Sequence, residues 1–206
     1  MDASDRRREV LDHARNVIIR DGLNTTSLRR ISREGGYTTG VLSHYFADKR
    51  ELIAATFEWT MTTWLDRAGS ELEAAPTAEE SFLTFVRVAI PHAPERQREW
   101  RLWLEFCVAA VGDPELGEIL LRVDGRWEQT TAAAFDRWEK AGLVRATMPL
   151  AEQAATIVRV VDGLGLRALL TGDWDTAREG LVSILRSLGI PPELAAASLQ
   201  PPKETA

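Results

Sequence analysis

The chain is poor in the residues that carry metal, redox or nucleophilic chemistry. Among 206 residues there is one cysteine, Cys107, so no internal disulfide can form. The three histidines, His13, His44 and His92, are scattered without metal-ligand spacing. There is no serine nucleophile elbow and no glycine loop of the phosphate-cradling kind. Carboxylates such as Glu95, Glu99 and Glu105 fall among arginines on helical segments, where ion pairs and solvated faces account for them. These absences argue against an enzyme and against a metal or other cofactor. Apolar runs are too short to cross a bilayer. The arginine-rich start has no apolar core of the signal-peptide type. With the lone cysteine, this places the expected location in a reducing cytoplasm, away from membranes. Strand-like alternation and hairpin turns are missing too, so no sheet is expected.

What is present is helical. Apolar residues make up 45% of the chain, enough for a sizeable core. The first helix is expected from about Asp5 to Asp21, with Val10, Ala14, Val17 and Ile18 on one stripe and Gly22 as its stop. Ser27 can cap a second helix that ends at Gly35-Gly36, and Thr38 a third that ends near Tyr45. Asp48-Lys49-Arg50-Glu51 reads as a capping box opening a fourth helix to about Leu72. Further helices are expected from Thr77 to near Pro91, from Pro94 to Gly112, from Pro114 to Gly142, from Pro149 to Thr171 and from Asp175 to Leu188. Pro191-Pro192 and Pro201-Pro202 mark residues 191–206 as a loose tail.

Residues 26–52 are the most specific stretch. Helices of seven or eight residues do not hold in water alone. Two of them joined by a glycine turn are stable only as a packed unit, the layout of a helix-turn-helix, whose second helix can enter the major groove of DNA. Net charge agrees. The chain carries −6 overall, yet residues 1–50 hold ten Lys/Arg against seven Asp/Glu, a net of +3, and the other 156 residues hold −9. Screening over roughly 8–10 Å lets a basic head bind phosphate despite an acidic body.

Within that head, Thr38 and Thr39 lie at the start of the third helix, where hydroxyls and methyls reach base edges. Gly40 lets the backbone approach DNA, at a cost of about 1 kcal/mol relative to alanine in a helix. Ser43, His44 and Tyr45 are polar tips at its end; Tyr45 could instead pack on the first helix. Lys49 is a cation at a helix N-terminus, unfavourable unless a phosphate lies near. Arg29 stands between phosphate contact and bystander. The Arg6-Arg7-Arg8 run could be a DNA-reaching arm or a fraying helix end. Thr26 and Ser27, heading the second helix, complete the candidate contact set.

The run Gly22-Leu23-x-Thr25-Thr26-Ser27-Leu28-x-x-Ile31-Ser32-x-x-Gly35-Gly36-Tyr37-Thr38-Thr39-Gly40-x-Leu42-Ser43-His44-Tyr45-Phe46-x-Asp48-Lys49-x-x-Leu52 resembles the DNA-binding domain of the tetracycline-repressor (TetR) family. Ser43-His44-Tyr45-Phe46 is similar to the betaine-regulator (BetI) branch. So are Arg101-Leu102-Trp103-Leu104-Glu105-Phe106, Asp113-Pro114-Glu115-Leu116 and Val161-Asp162-Gly163-Leu164. Tyr37 is larger than the residue the family usually has there. The resemblance implies an all-α fold: a helix-turn-helix domain over residues 1–50, then a helical ligand-binding and dimerisation domain over residues 51–190. It implies a homodimeric repressor that binds double-stranded operator DNA and is released by a small molecule. The alternative is a helical ligand- or partner-binding protein without sequence-specific DNA binding.

In the larger domain, Ile157, Val161, Leu164 and Ala168 on one helix, with Leu181 and Leu185 on the next, are candidates for a four-helix interface across a twofold axis. Seven tryptophans stand in or near this region. Phe85, Trp100, Trp103, Glu105, Phe106 and Trp127 are the candidate wall of an effector pocket. Aromatic rings with an acid would suit an organic cation; an aromatic stripe at helical spacing is more often plain core.

Overall fold

The computed structural model describes residues 3–201, apart from the side chains of Ala3, Ser4 and Thr39. The described residues form ten α-helices and no strand. They are α1 (Ala3–Asp21), α2 (Leu28–Glu34), α3 (Thr39–Tyr45), α4 (Lys49–Ala74), α5 (Ala78–Ala89), α6 (Pro94–Ala110), α7 (Pro114–Lys140), α8 (Leu150–Thr171), α9 (Trp174–Ser187) and α10 (Pro192–Ser198).

The helix ends follow local chemistry. Ser27 Oγ accepts the Arg30 N–H at 3.2 Å, and Thr77 Oγ1 accepts the Glu80 N–H at 3.1 Å. At the head of α4 the Asp48 carboxylate accepts the Glu51 N–H (2.8 Å), while Glu51 reaches back to the N–H of Ala47 at 2.7 Å. This is the expected box, displaced one residue on its return bond. Thr38 differs from expectation: it precedes α3 in extended conformation, but its side chain makes no capping bond.

The chain divides into two compact units. One unit runs through Trp64 and takes in Arg101–Val123; the other comprises Leu65–Trp100 and the residues from Asp124 onward. Side chains far apart in sequence explain why 101–123 joins the head. The Phe57 and Phe106 rings stack 3.6 Å apart at 4°. Arg50 binds Asp113 through two nitrogens (2.5 and 2.6 Å) and Glu115 at 2.7 Å. Arg122 donates to Glu58 at 2.8 Å.

The second unit is built on rings. Phe82, Phe85, Phe135 and Trp138 are fully buried and meet at 4.8–6.4 Å between centroids. Trp138 also donates its indole N–H to Ser81 Oγ at 3.3 Å. Helices α8 and α9 pack together, and α9 carries Gly180 where Leu164 of α8 presses closest. The supposed loose tail holds α10, which packs on α5 and α9 and buries Ala195 and Ser198. A proline pair is compatible with helix when the second proline is N1, as Pro192 is here.

Candidate DNA-binding interface

Helices α2 and α3 are short, and tertiary packing holds them. Val10, Leu11, Ala14 and Val17 of α1 form one core with Ile31, Tyr37, Leu42, Phe46 and Leu52. The turn between α2 and α3 needs two glycines for different reasons. Gly36 sits at φ +68°, in the left-handed region. Gly35 gives way to the Tyr37 ring: a Cβ there would lie 2.2 Å from Tyr37 Cε2. Tyr37 is thus the inward wedge of the turn, edge-on to His13 at 5.6 Å. The larger residue is absorbed by the core.

Burying one side of α3 leaves its other side facing water. Thr38, Gly40, Ser43 and His44 are exposed. A Cβ built on Gly40 meets only Thr38 Oγ1, at 3.8 Å, so no internal contact demands glycine. Tyr45 is half-buried against the α1–α3 core and edge-on to His44 at 5.0 Å, so its body packs inward. The Thr39 side chain lies outside the described residues.

Around α3 some cations are already used. Arg20 binds Asp21 (2.6 Å) and Glu34 (2.7 Å), and Arg30 binds Asp21 at 2.8 Å. The Arg20 bonds hold both carboxyls below their ordinary range. Arg29 and Arg33 are exposed, and among the described residues neither makes an ion pair. The arginine arm is folded in: Arg6 lies over the Tyr37 ring at 4.6 Å and Arg7 over Phe46 at 5.1 Å.

Two sequence candidates make hydrogen bonds within the chain. Thr26 is 2% exposed and gives its hydroxyl to the Gly22 carbonyl at 2.8 Å, so it closes the α1–α2 corner and does not face DNA. Lys49 Nζ donates to the Leu23 carbonyl at 3.0 Å. In the free chain that carbonyl partly offsets the unfavourable cation at the α4 N-terminus. The Ser27 hydroxyl is exposed but engaged in its cap.

The candidate effector-wall residues are each described within their own unit. Trp103, Glu105 and Phe106 belong to the first unit, whereas Phe85, Trp100 and Trp127 belong to the second. Phe106 is fully buried against Phe57. Glu105 accepts the Leu23 N–H at 3.1 Å. Phe85 is fully buried, stacked with Trp127 at 5.8 Å. Trp100 leans on Gly165 of α8 and is edge-on to Trp174 at 6.2 Å. The aromatic stripe is therefore largely core.

The interface candidates also move inward. Ile157, Val161, Ala168, Leu181 and Leu185 are at most 2% exposed within the single chain, and Leu164 packs on Gly180. They join α8 to α9 within the single chain. Leu166 and Leu170, 37% and 75% exposed, lie with Arg159 and Gly163 on the opposite, outward side of α8. Period 3.6 fixes which residues share a side, but the side with more apolar residues faces this chain's own core.

Sequence reading missed the contacts of Arg50 with Asp113 and Glu115, and of Glu105 with Leu23. Their partners are 63 and 82 residues away, and no local pattern signals them. Asp113 is held down to about 2, chiefly by the Arg50 hydrogen bonds. Asp162 is pushed up to about 7 by burial and by Asp124 beside it; Asp124 rises to about 6, by burial and Glu128. Among the described residues, no group of His, Cys, Asp and Glu is placed to hold a metal, and no helix is long and apolar enough to cross a membrane.

Residues 10–56 match the family described as bacterial regulatory proteins, tetR family, and residues 78–188 match that of the BetI-type transcriptional repressor, C-terminal. The HTH-type transcriptional regulator BetI of Cronobacter sakazakii is 31% identical over 88% of this chain and 89% of its own length. The protein of that name from Escherichia coli strain SMS-3-5 is 27% identical over 81% and 84%. A transcriptional regulator of Saccharomonospora viridis, solved in complex with choline, superposes with a TM-score of 0.79 at 24% identity, over 89% of this chain and 96% of that one. A TetR-family regulator of Rhodococcus superposes at 0.75, with 23% identity over 90% and 99%. The chain belongs to the TetR family of DNA-binding transcriptional regulators, a family of non-enzymatic proteins, and its C-terminal part is of the BetI type.

Proposed function

We infer that the protein is a cytoplasmic repressor that binds a palindromic operator as a homodimer and is released by a small organic cation. The observation that carries this reading is the outward side of α3. Thr38, Gly40, Ser43 and His44 face water beside Arg29 and Arg33, while apolar residues hold the helix from behind. Hydroxyls and an imidazole suit base edges, and guanidinium groups suit phosphates. A twofold pair would present two such helices about 34 Å apart, one turn of DNA.

The outward side of α8, with Leu166 and Leu170, supports pairing of two copies there. A choline-like effector is supported by the BetI-type C-terminal part and by the choline complex of the S. viridis neighbour.

Selection from random duplexes, followed by anisotropy titration with choline, tests this reading. The enriched duplexes should be palindromic, and choline should weaken binding by about 5- to 150-fold, the usual range of such coupling. Failure to enrich any sequence would return the protein to a ligand- or partner-binding role without operator recognition. Enrichment without a choline response would remove the effector and keep the regulator.

A further inference from the structure

Helix α3 is anchored from its third residue onward. Among its described side chains, those that pack on the core are Val41, Leu42 and Tyr45, with Phe46 just beyond the helix. Its first turn has no such hold. Thr38 precedes the helix in extended conformation and makes no capping bond. Thr38 and Gly40 are exposed, and a Cβ on Gly40 would touch only Thr38 Oγ1. The buried side chain next to this turn is Tyr37, 8% exposed.

Tyr37 is a strut between elements. Its N–H donates to the Ser32 carbonyl at 2.8 Å, which ties its backbone to α2. Its ring reaches α1: it is edge-on to His13 at 5.6 Å, lies beneath the Arg6 guanidinium at 4.6 Å, and shares one core with Val10, Leu11 and Ala14. Glu9 holds Arg6 in turn at 2.7 Å. Room for the ring comes from Gly35. That residue has φ −78°, a conformation open to any side chain, so it is the ring, and not the backbone, that demands glycine there. The pair Gly35 and Tyr37 thus exchanges a methyl on one residue for a ring on the other. All these residues lie within Met1–Trp64 of the first unit.

A helix held at one end pivots there. Thr38 precedes Leu42 by four residues, about 6 Å along the axis, so a tilt of about 10° about Leu42 moves it by about 1 Å. The donor–acceptor window of a hydrogen bond is only about 0.5 Å wide. We propose that Tyr37 is a positioning residue for operator specificity: its ring sets the aim of the first turn of α3, and so the base pairs accepted there, while the latter part of the helix keeps its place. This rests on the operator-binding reading. Binding ratios between a duplex selected by the wild type and its single-base-pair variants, measured by anisotropy on the full chain, test it. A merely structural role changes the amount of active protein, which scales every duplex alike. A re-aimed helix changes some ratios and leaves others.

In the wild type, a wrong base pair should weaken binding by about 5- to 150-fold. Tyr37→Val should melt lower, and at a cluster of adjacent positions its ratios should shift by more than about fivefold. Gly35→Ala/Tyr37→Val returns a methyl to the emptied space, so it should melt above Tyr37→Val yet keep the shifted ratios. If the single variant does not fold, the double variant carries the test. Tyr37→Phe keeps the ring and should hold the wild-type ratios within about twofold. Valine variants with wild-type ratios, a double variant whose ratios return with its melting temperature, or a phenylalanine variant shifted as valine is, overturns the strut and leaves the regulator standing. A wild type that selects no duplex overturns both.

Discussion

The two units are held together by different physics. In the DNA-binding unit, directional polar bonds set positions: Glu105 and Lys49 on Leu23, Arg50 on Asp113 and Glu115, Ser27 on Arg30. In the second unit, rings fill space: Phe82, Phe85, Phe135 and Trp138. Polar bonds have one good geometry each, so they register a displacement; packed rings resist one. A unit that must aim two short helices and a unit that must hold its shape differ in this way. Their glycines differ likewise. Gly165 is filled by a neighbour's ring, and Gly40 stands open.

The largest expected effect lies in the ring-packed unit. Trp138→Ala removes a fully buried indole from four partners and leaves the Ser81 hydroxyl without its donor. A loss of about 3–5 kcal/mol is expected in denaturant unfolding, as for large core truncations. An equal loss from an aromatic-to-alanine change at half-buried Trp59 of the first unit would erase the contrast. Next comes Gly165→Ala. The new Cβ would meet the Trp100 ring at 2.2 Å, so α8 or the ring must shift, at about 1–3 kcal/mol. A neutral result by thermal melt would show that Trp100 can swing away, and that it does not anchor α6.

These contrasts also mark where sequence was sufficient. Helix positions and the helix-turn-helix were legible because caps, glycines and a 3.6-residue period are local. The same holds for the outward Thr38, Gly40, Ser43 and His44. The partition of apolar residues was not legible. Ile157 and Leu181 read as an interface and are buried within the single chain, because a broad apolar surface on a helix carries no mark of which side meets which neighbour. Glu105 read as a pocket acid and proved to grip Leu23; its partner lies in a distant segment. Lys49 read as anomalous at a helix start, and its hydrogen bond to the Leu23 carbonyl, 26 residues away, carries no local signal. The tail read as loose because prolines were weighed and the buried Ala195 was not.

A smaller, pH-dependent effect is expected at Asp162. Burial and Asp124 raise its carboxyl to about 7 in the folded chain, against 3.8 ordinarily. The folded state then binds more protons than the unfolded state between these values, so the stability owed to the neutral acid is complete below about 4 and is lost as pH rises through 7. Asn is neutral throughout. Asp162→Asn should therefore stabilise the protein by about 1–2 kcal/mol at pH 8, less than the full shift implies because water relaxes around the site, and by nothing near pH 4. Equal stability of the two proteins at pH 8 would place Asp162 in water.

The smallest effect on the fold is the most telling for function. Gly40→Ala adds a methyl that touches nothing nearer than Thr38 Oγ1 at 3.8 Å, and it replaces the worst non-proline helix former with the best. The free protein should gain up to about 1 kcal/mol and melt slightly higher. If the α3 backbone at residue 40 lies against DNA, the same methyl must be accommodated between two surfaces, and affinity for a selected duplex should fall about tenfold, or 1.4 kcal/mol. Stability and binding then move in opposite directions, which packing alone cannot produce. A variant that melts higher and binds as before would show that residue 40 stays clear of the groove, and that the contact surface of α3 begins at Ser43 and His44.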